Sequence, residues 1–200
     1  MSTDIFKTVA FTGHRLEKLP WGDDEQSEPA AAFKRRLKDT LEELIATGCV
    51  NFLSGAARGF DTIAAEAVLE LRELYPWISL TVVLPCESQA DKWGDDDKAR
   101  WEHLLENADH VLHMAGCYDR GCMFRRNRYL VDHSALLIAA YDGRSAGGTA
   151  MTLAYAAEKG RTVIRLPLEG KAVRHMPDIH AERTRGAVDE PMHVPIREIA

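Results

Sequence analysis

The sequence has few cysteines, no long apolar run and no excess of positive charge, and each shortage argues against a class of protein. Four cysteines in 200 residues are too few for a disulfide scaffold, so we expect reduced thiols and a cytoplasmic location. No apolar run reaches the roughly 18 residues that span a bilayer, which argues against a membrane protein. The first residues lack the basic start and apolar stretch of a signal peptide. The net charge of −6 disfavours a protein built mainly to coat nucleic acid.

What the sequence does contain is a regular alternation of β-prone and helical segments. Five β-prone runs are each followed by a helical pattern, and a sixth run, Thr162 to Leu166, ends the series. Continuous apolar strands that alternate with amphipathic helices are typical of a parallel sheet covered on both faces. We therefore predict an α/β, Rossmann-like, doubly wound and mainly parallel sheet flanked by helices. Residues 1–170 form this domain, and residues 171–200 form an irregular C-terminal tail.

The segments that follow the strands hold most of the candidate ligand-binding residues. In open α/β sheets, ligands bind beyond the carboxyl ends of the strands, near the switch in strand order. Glycines, arginines and hydroxyl side chains are concentrated in these segments. Chain reversal alone accounts for some of the glycines, but it explains the charged side chains less well than ligand binding does. The candidates are Gly13, His14, Arg15, Ser54, Gly55, Arg58, Gly59, Asp61, Gly147, Gly148 and Thr149, together with Arg126 and Asn127 on the fourth helix.

Two glycine-bearing loops, residues 54–61 and 147–149, lead from strands into helices. Glycines there let backbone N–H groups approach a phosphate, and a helix N-terminus favours negative charge. An ordinary strand-to-helix turn with a cap explains either loop about as well when it is taken singly. Two such loops at one sheet edge are harder to explain as ordinary turns. Neither loop matches a Walker motif or GxGxxG, so the pattern indicates a generic phosphate site.

Three arginines surround one helical turn at residues 125–128. Arg125 or Arg126 could turn into the cleft and clamp a phosphate, because a guanidinium binds phosphate oxygens in pairs. We expect Arg128 to be a solvated surface charge that pairs with Asp132, four residues further along the helix.

Other chemistries find less support. Trp93 and Tyr118 could stack on a base, although aromatic residues more often serve simple packing. Cys117 and Cys122 have no CxxC spacing, HExxH motif or matched second pair of ligands beside them, so we predict no metal site. No GxSxG elbow marks a nucleophile.

The motifs resemble the YpsA-like family of the SLOG superfamily. They run in consistent order between residues 6 and 167: FTGHR at 11–15, LSGAARGFD at 53–61, LPC at 84–86 with Gln89 and Trp93, and RNxxLVD at 126–132. The resemblance implies a Rossmann-like fold and a nucleotide or nucleotide-derived ligand. It also implies self-association, so we expect a homo-oligomer.

Two better-understood relatives imply different functions. The pattern SGxARGxD at 54–61 resembles the glycine loop of DprA, which binds single-stranded DNA. The pattern MxxR at 123–126, with GG at 147–148 and a nearby threonine, resembles the LONELY GUY phosphoribohydrolases. Those enzymes cleave the N-glycosidic bond of a nucleoside 5′-monophosphate with an arginine and the glutamate of a GGxGTxxE motif. Here Ala154 or Thr152, depending on the alignment, stands where that glutamate belongs, and neither can act as an acid.

We therefore expect a domain that binds a nucleotide-type phosphorylated small molecule, for instance as a sensor. Two alternatives stay open. One is an N-glycosidic hydrolase with an acid recruited from elsewhere, such as Asp61 or Asp132. The other is DprA-like binding of single-stranded nucleic acid, which the acidic net charge disfavours. The sequence does not decide whether the chain is an enzyme, and it identifies no cofactor.

Overall fold

The computed structural model describes residues 4–143, 146–168 and 196–198, and strands and helices alternate along them. In chain order they are β1 (Thr8–Gly13), α1 (Glu28–Ala46), β2 (Asn51–Ser54), α2 (Phe60–Arg72), β3 (Ser79–Leu84), α3 (Asp95–Asn107), β4 (His110–His113), α4 (Cys122–Asp132), β5 (Leu136–Ala140), α5 (Gly148–Glu158), β6 (Thr162–Leu166) and β7 (Ile196–Glu198). This order confirms the predicted α/β class. In the part of the chain that the structure describes, every helix is too short or too polar to span a lipid bilayer.

The strands form one parallel sheet in the order β4-β3-β2-β1-β5-β6-β7. The chain moves outward from β1 through β2 and β3 to β4, and then returns to the other side of β1 with β5. Strands β1 and β5 pair directly, from Val9 opposite Leu136 to Gly13 opposite Ala140. The strand order therefore reverses between β1 and β5, and the loops that follow these two strands leave a crevice at their carboxyl ends.

Side chains alternate across the sheet between two cores. Val9 and Phe11 of β1 belong to the larger core, which also contains the buried faces of α1, α2 and α3. Ala10, between them, belongs to the smaller core with residues of α4 and α5. Because successive strand residues point to opposite faces, both faces of the central strands are apolar. The observed layers are the doubly wound arrangement that the apolar strands predict.

Helix α1 illustrates how the local sequence determines these elements. Pro29 lies in the first turn, where a missing N–H removes no intrahelical hydrogen bond. Phe33, Leu37 and Leu41 recur every four residues and are fully buried, so one face of the helix packs on the sheet. Gly48 follows the helix with a φ of 98°, the left-handed conformation that terminates many helices at a glycine.

Strand β7 was not predicted. Residues 196–198 pair in parallel with β6, inside the segment 171–200 that we expected to be irregular throughout. A three-residue strand is too short for hydrophobic periodicity to reveal. The remaining residues of that segment lie outside the described part of the chain, so the division between domain and tail stays a prediction.

Candidate functional site

A cavity of about 160 Å³ lies where the loop after β1 meets the N-terminal turns of α2, α4 and α5. Its charged lining consists of four basic side chains, Arg15, Lys18, Arg58 and Arg126, and one carboxylate, Asp61. His14 also lines the cavity. The chain as a whole carries a net charge of −6, so basic groups are concentrated locally. Such a concentration in a concave site favours an anion.

Nine of the thirteen candidate residues from the sequence line this cavity, and Ser54, Gly55, Gly59 and Gly147 do not. Those four shape the backbone around the cavity. Lys18 lines the cavity but was missed. It lies outside the glycine loops, in the polar segment after β1, where only its nearness to Arg15 in the sequence could have indicated it.

The innermost polar feature of the cavity is an ion pair between α2 and α4. Nη1 of Arg126 donates to Oδ2 of Asp61 at 2.9 Å, and the two side chains are only 4% and 9% exposed. An ideal Cβ atom built on Gly55 would lie 1.0 Å from the same Nη1 atom. The guanidinium therefore lies directly on the backbone of Gly55, in space that any other residue would fill. Of the two arginines proposed to enter the cleft, Arg126 does so.

Arg15 is a half-buried guanidinium with no hydrogen bond or ion pair to any residue that the structure describes. Burial lowers the pKa of Arg15 from its ordinary value, and the charges of Arg126 and Arg58 lower the pKa further. The charges of Asp61 and Glu17 act in the opposite direction. A cation that is partly desolvated beside other cations gains stability from an anion at hydrogen-bonding distance.

The loop between β2 and α2 is held by hydrogen bonds from two side chains. Ser54 is fully buried, donates to the carbonyl of Asp61 at 2.8 Å and accepts from the N–H of Ala56 at 3.1 Å. Gln89 donates to the carbonyls of Gly55 and Ala56 at 3.2 and 2.8 Å. Ser54 therefore positions the loop, and Gln89, which the sequence motif includes, fixes it from the segment after β3.

Gly13 and Gly59 permit close packing between the loops after β1 and β2. A Cβ atom on Gly13 would lie 2.5 Å from the ring of Phe60. A Cβ atom on Gly59, whose φ is 100°, would lie 2.6 Å from the carbonyl oxygen of His14. That carbonyl accepts the N–H of Phe60 at 3.1 Å. The two glycines thus bring the first turn of α2 against the end of β1, so that both can border one cavity.

His14 links the ends of β1 and β5. Its Nε2 atom lies 2.9 Å from Oδ1 of Asp142 and 3.2 Å from the backbone N of the same residue. One ring nitrogen cannot donate to the carboxylate and accept from the N–H at once, so the two contacts correspond to different tautomers of the ring. His14 is 5% exposed, so its main contribution is to hold the two loops together at the switch in strand order.

The N-terminus of α5 presents open backbone to the cavity. Gly147, with a φ of 114°, occupies the N-cap and supplies no side-chain cap. A Cβ atom on Gly148 would meet no atom of the described residues within 4 Å, so the backbone there is open on that side. Thr149 donates its hydroxyl to the carbonyl of Gly13 at 2.9 Å, which fixes the first turn of α5 against β1. The hydroxyl oxygen retains only acceptor capacity in this arrangement.

The other basic candidates already lie beside carboxylates. Nε of Arg58 lies 2.7 Å from Oδ2 of Asp97, although their alignment is too poor for a hydrogen bond. Arg125 is exposed and pairs with Asp119.

Arg128 is also exposed, but the prediction that it pairs with Asp132 is wrong. The Arg128 guanidinium lies over the rings of Phe124 and Tyr155, 4.5 and 4.6 Å from their centroids. Asp132 instead accepts the Tyr155 hydroxyl at 3.0 Å. An arginine that packs over aromatic rings buries the carbon part of its side chain, which a helical ion pair in water does not.

Trp93 and Tyr118, the candidates for stacking on a base, do not line the cavity. Trp93 packs edge-to-face on Trp101, with ring centroids 6.2 Å apart. Tyr118 is 66% exposed.

Comparisons with known proteins identify the family. The family model YpsA, described as the YspA SLOG family, matches residues 9–165. The chain belongs to the YpsA SLOG family. A similar relative is a UPF0398 protein of Bacillus pumilus strain SAFR-032, 32% identical over 139 residues, which cover 68% of this chain and 74% of the relative. Another is the uncharacterized SPbeta prophage-derived protein YoqJ of Bacillus subtilis strain 168, 31% identical over 62% of this chain and 80% of its own. The crystal structure of TM1055 is 15% identical, with a TM-score of 0.49, and the match covers 80% of this chain and 73% of that one.

Within this YpsA SLOG chain, helix α5 carries no acid at the position of the phosphoribohydrolase glutamate. Thr152 is buried and donates its hydroxyl to the carbonyl of Gly148 at 2.8 Å. Ala154 and Glu158 are exposed on the outer side of the helix. Asp61 is the carboxylate that lines the cavity. Among the residues that the structure describes, no group of three or more His, Cys, Asp or Glu side chains could hold a metal ion.

Proposed function

We propose that this YpsA SLOG protein binds the phosphate of a nucleotide or nucleotide-derived small molecule in the cavity beside Arg15. The observation that carries the proposal is the Arg15 guanidinium, which is half-buried, lines the cavity and has no partner among the described residues. A phosphate would accept its hydrogen bonds in pairs and offset its desolvation. Lys18 borders the same cavity and adds a second positive charge that forms no ion pair with any residue that the structure describes.

The backbone of α5 supports the same proposal. Gly148 lines the cavity, and its backbone faces space that a side chain would occupy. N–H groups in the first turn of a helix lack intrahelical acceptors and lie at the positive end of its dipole. A phosphate between Gly148 and Arg15 therefore receives backbone and side-chain donors together. The wider resemblance of the motifs to nucleotide-binding SLOG proteins favours a nucleotide over inorganic phosphate.

A ligand panel tests the proposal. Thermal-shift and calorimetric titrations with inorganic phosphate, ribose 5-phosphate, AMP, NAD and ADP-ribose are compared between the parent protein, Arg15→Gln and Arg125→Gln. Arg125 is the matched control because it is an exposed arginine that pairs with Asp119 and does not line the cavity. We expect Arg15→Gln to weaken binding at least about tenfold, or about 1.4 kcal/mol, and Arg125→Gln to leave it unchanged. Equal affinities in the two variants, or no binding in the panel, would refute the proposal.

N-glycosidic hydrolysis is a second candidate, favoured by the position of Asp61. In that reaction water adds to the anomeric carbon, the C–N bond breaks, and the base leaves with a proton. A carboxylate held by Arg126 could stabilise the positive charge that develops on the sugar. Release of free base from nucleoside monophosphates should then cease in Asp61→Asn and persist in Asp132→Asn. Absence of released base with the parent protein rejects this candidate and leaves the binding proposal intact.

A further inference from the structure

A second cavity, of about 250 Å³, adjoins the first between α4 and α5. Met123, Asn127 and Gly148 line both cavities, so the two spaces meet along one wall. Together they fall within the range of small-ligand sites, roughly 300–1,000 Å³. A molecule with its phosphate at Gly148 would therefore extend directly into the second cavity.

The two cavities differ in chemistry. The first is lined by charged groups and glycine backbone. The second is lined largely by carbon, chiefly from Met123, Phe124, Met151 and Tyr155, and Arg120 and Arg128 also border it. Phe124 and Met151 are 41% and 57% exposed, although they are large apolar side chains. Exposed apolar surface that borders a concave site is a common mark of a ligand-binding groove.

Arg128 gives this groove a planar cation. Its guanidinium is held over the rings of Phe124 and Tyr155, and it lines the second cavity. The Phe124 ring beside it is 41% exposed and offers a flat surface to a base, and base stacking of this kind tolerates different bases. Asn127 lies at the junction of the cavities, and its side-chain amide has no hydrogen bond to any described residue. The amide offers both a donor and an acceptor to a ring edge or a sugar hydroxyl.

We propose that the groove between α4 and α5 takes the planar heteroaromatic ring of a nucleotide whose phosphate lies beside Arg15. This inference rests on the proposed phosphate site and adds the location of the base. The shared wall at Gly148 argues for one continuous ligand instead of two independent ones.

Calorimetric titrations with ribose 5-phosphate and with AMP, GMP, CMP and UMP test the inference. The double variant Phe124→Gln with Met151→Gln removes apolar surface from the groove without adding charge near the phosphate. Leu74→Gln is the matched control, because Leu74 is 67% exposed and lies just beyond the C-terminal end of α2, away from the cavities. We expect the best-bound monophosphate to bind the parent protein about tenfold more tightly than ribose 5-phosphate. This ratio should approach one in the double variant and persist in Leu74→Gln, while the affinity for ribose 5-phosphate stays constant.

The outcomes separate the two proposals. If ribose 5-phosphate binds and no base adds affinity, or if the ratio survives in the double variant, the ring site is refuted and the phosphate site stands. If neither class of compound binds, both proposals fail. The remaining possible occupant of the groove is a second copy of the chain, and the solution mass of the same variants tests for it. A double variant that loses a dimer and keeps the ratio would assign the groove to a second copy of the chain and overturn the inference.

Discussion

Nη1 of Arg126 occupies the position that a side chain on Gly55 would need, 1.0 Å from the ideal Cβ atom. Gly55 therefore has a steric role, and its φ is not in the left-handed region that otherwise favours glycine. The ion pair between Arg126 and Asp61 depends on Gly55, because the guanidinium occupies the space that a side chain at position 55 would fill. The motif SGAARGFD therefore provides both the space and the carboxylate that bind an arginine distant in the sequence.

Replacing Gly55 with alanine should therefore expel Arg126 and break a buried ion pair. Loss of one partner of such a pair typically costs about 3–5 kcal/mol, so we expect the free energy of unfolding to fall by about 3 kcal/mol or more. Urea denaturation measures the change. Gly116→Ala is the control, because a Cβ atom there would meet nothing within 4 Å. Equal stability of the two variants would contradict the observed packing.

Asp61→Asn removes the carboxylate and leaves the buried guanidinium of Arg126 without its counter-charge. We expect this variant to be destabilised by about 3 kcal/mol in phosphate-free buffer. Because the cavity then carries more net positive charge, inorganic phosphate should stabilise the variant more than it stabilises the parent protein. Thermal shifts at increasing phosphate concentration test the difference. A variant that responds to phosphate less than the parent would contradict an anion site whose affinity depends on the net positive charge of the cavity.

Much of the fold could be predicted because its information is local. The continuous apolar run of Val9, Ala10 and Phe11 implies a strand that is buried on both faces. The four-residue spacing of Phe33, Leu37 and Leu41 implies a helix with one buried face. The order of these elements, with the right-handed crossovers of parallel sheets, then places the strand ends together. The predicted family is confirmed by the match over residues 9–165. The homo-oligomer and the cytoplasmic location stay predictions.

The contacts within the site could not be predicted in the same way, because they join distant residues. Asp61 and Arg126 are 65 positions apart, and no local pattern selects which carboxylate a buried arginine will meet. Arg128 is an example in which a local pattern predicts a contact that the fold does not form. Its spacing to Asp132 suits a helical ion pair, yet Tyr155 from the neighbouring helix offers a ring that only the packing of α4 on α5 provides.

Gly147 and Gly148 are adjacent, and substitution should affect them in different ways. Alanine at Gly148 meets nothing within 4 Å and is a better helix former than glycine, so stability should stay equal or rise slightly. Its methyl group enters the proposed phosphate position, so affinity for ribose 5-phosphate should fall at least about tenfold. Alanine at Gly147 must adopt a φ of 114° and should cost about 1–3 kcal/mol of stability. Calorimetry and urea denaturation of both variants separate the two effects, and unchanged affinity in Gly148→Ala would exclude a ligand there.

Glu25 ties the polar segment after β1, which carries Arg15 and Lys18, to the rest of the molecule. The carboxylate accepts from Lys34 and from Arg100, and Arg100 also donates to Glu66 on α2. Burial alone would raise the pKa of Glu25, but the hydrogen bonds and charges of Arg100 and Lys34 outweigh burial and lower the pKa below 4.5. The ion pairs therefore favour the charged form in the folded state.

A carboxyl whose pKa is lower in the folded than in the unfolded chain contributes stability above the unfolded value and loses it as the pH falls. The contribution of Glu25 should thus be complete above about pH 5 and disappear progressively below about pH 4.5. Glu25→Gln should be less stable than the parent protein at neutral pH, and its free energy of unfolding should fall less steeply on acidification. Urea denaturation at a series of pH values checks this, with Glu158→Gln as the control because Glu158 is exposed on α5. Parallel pH profiles for the parent protein and Glu25→Gln would mean that other carboxylates carry the acid sensitivity.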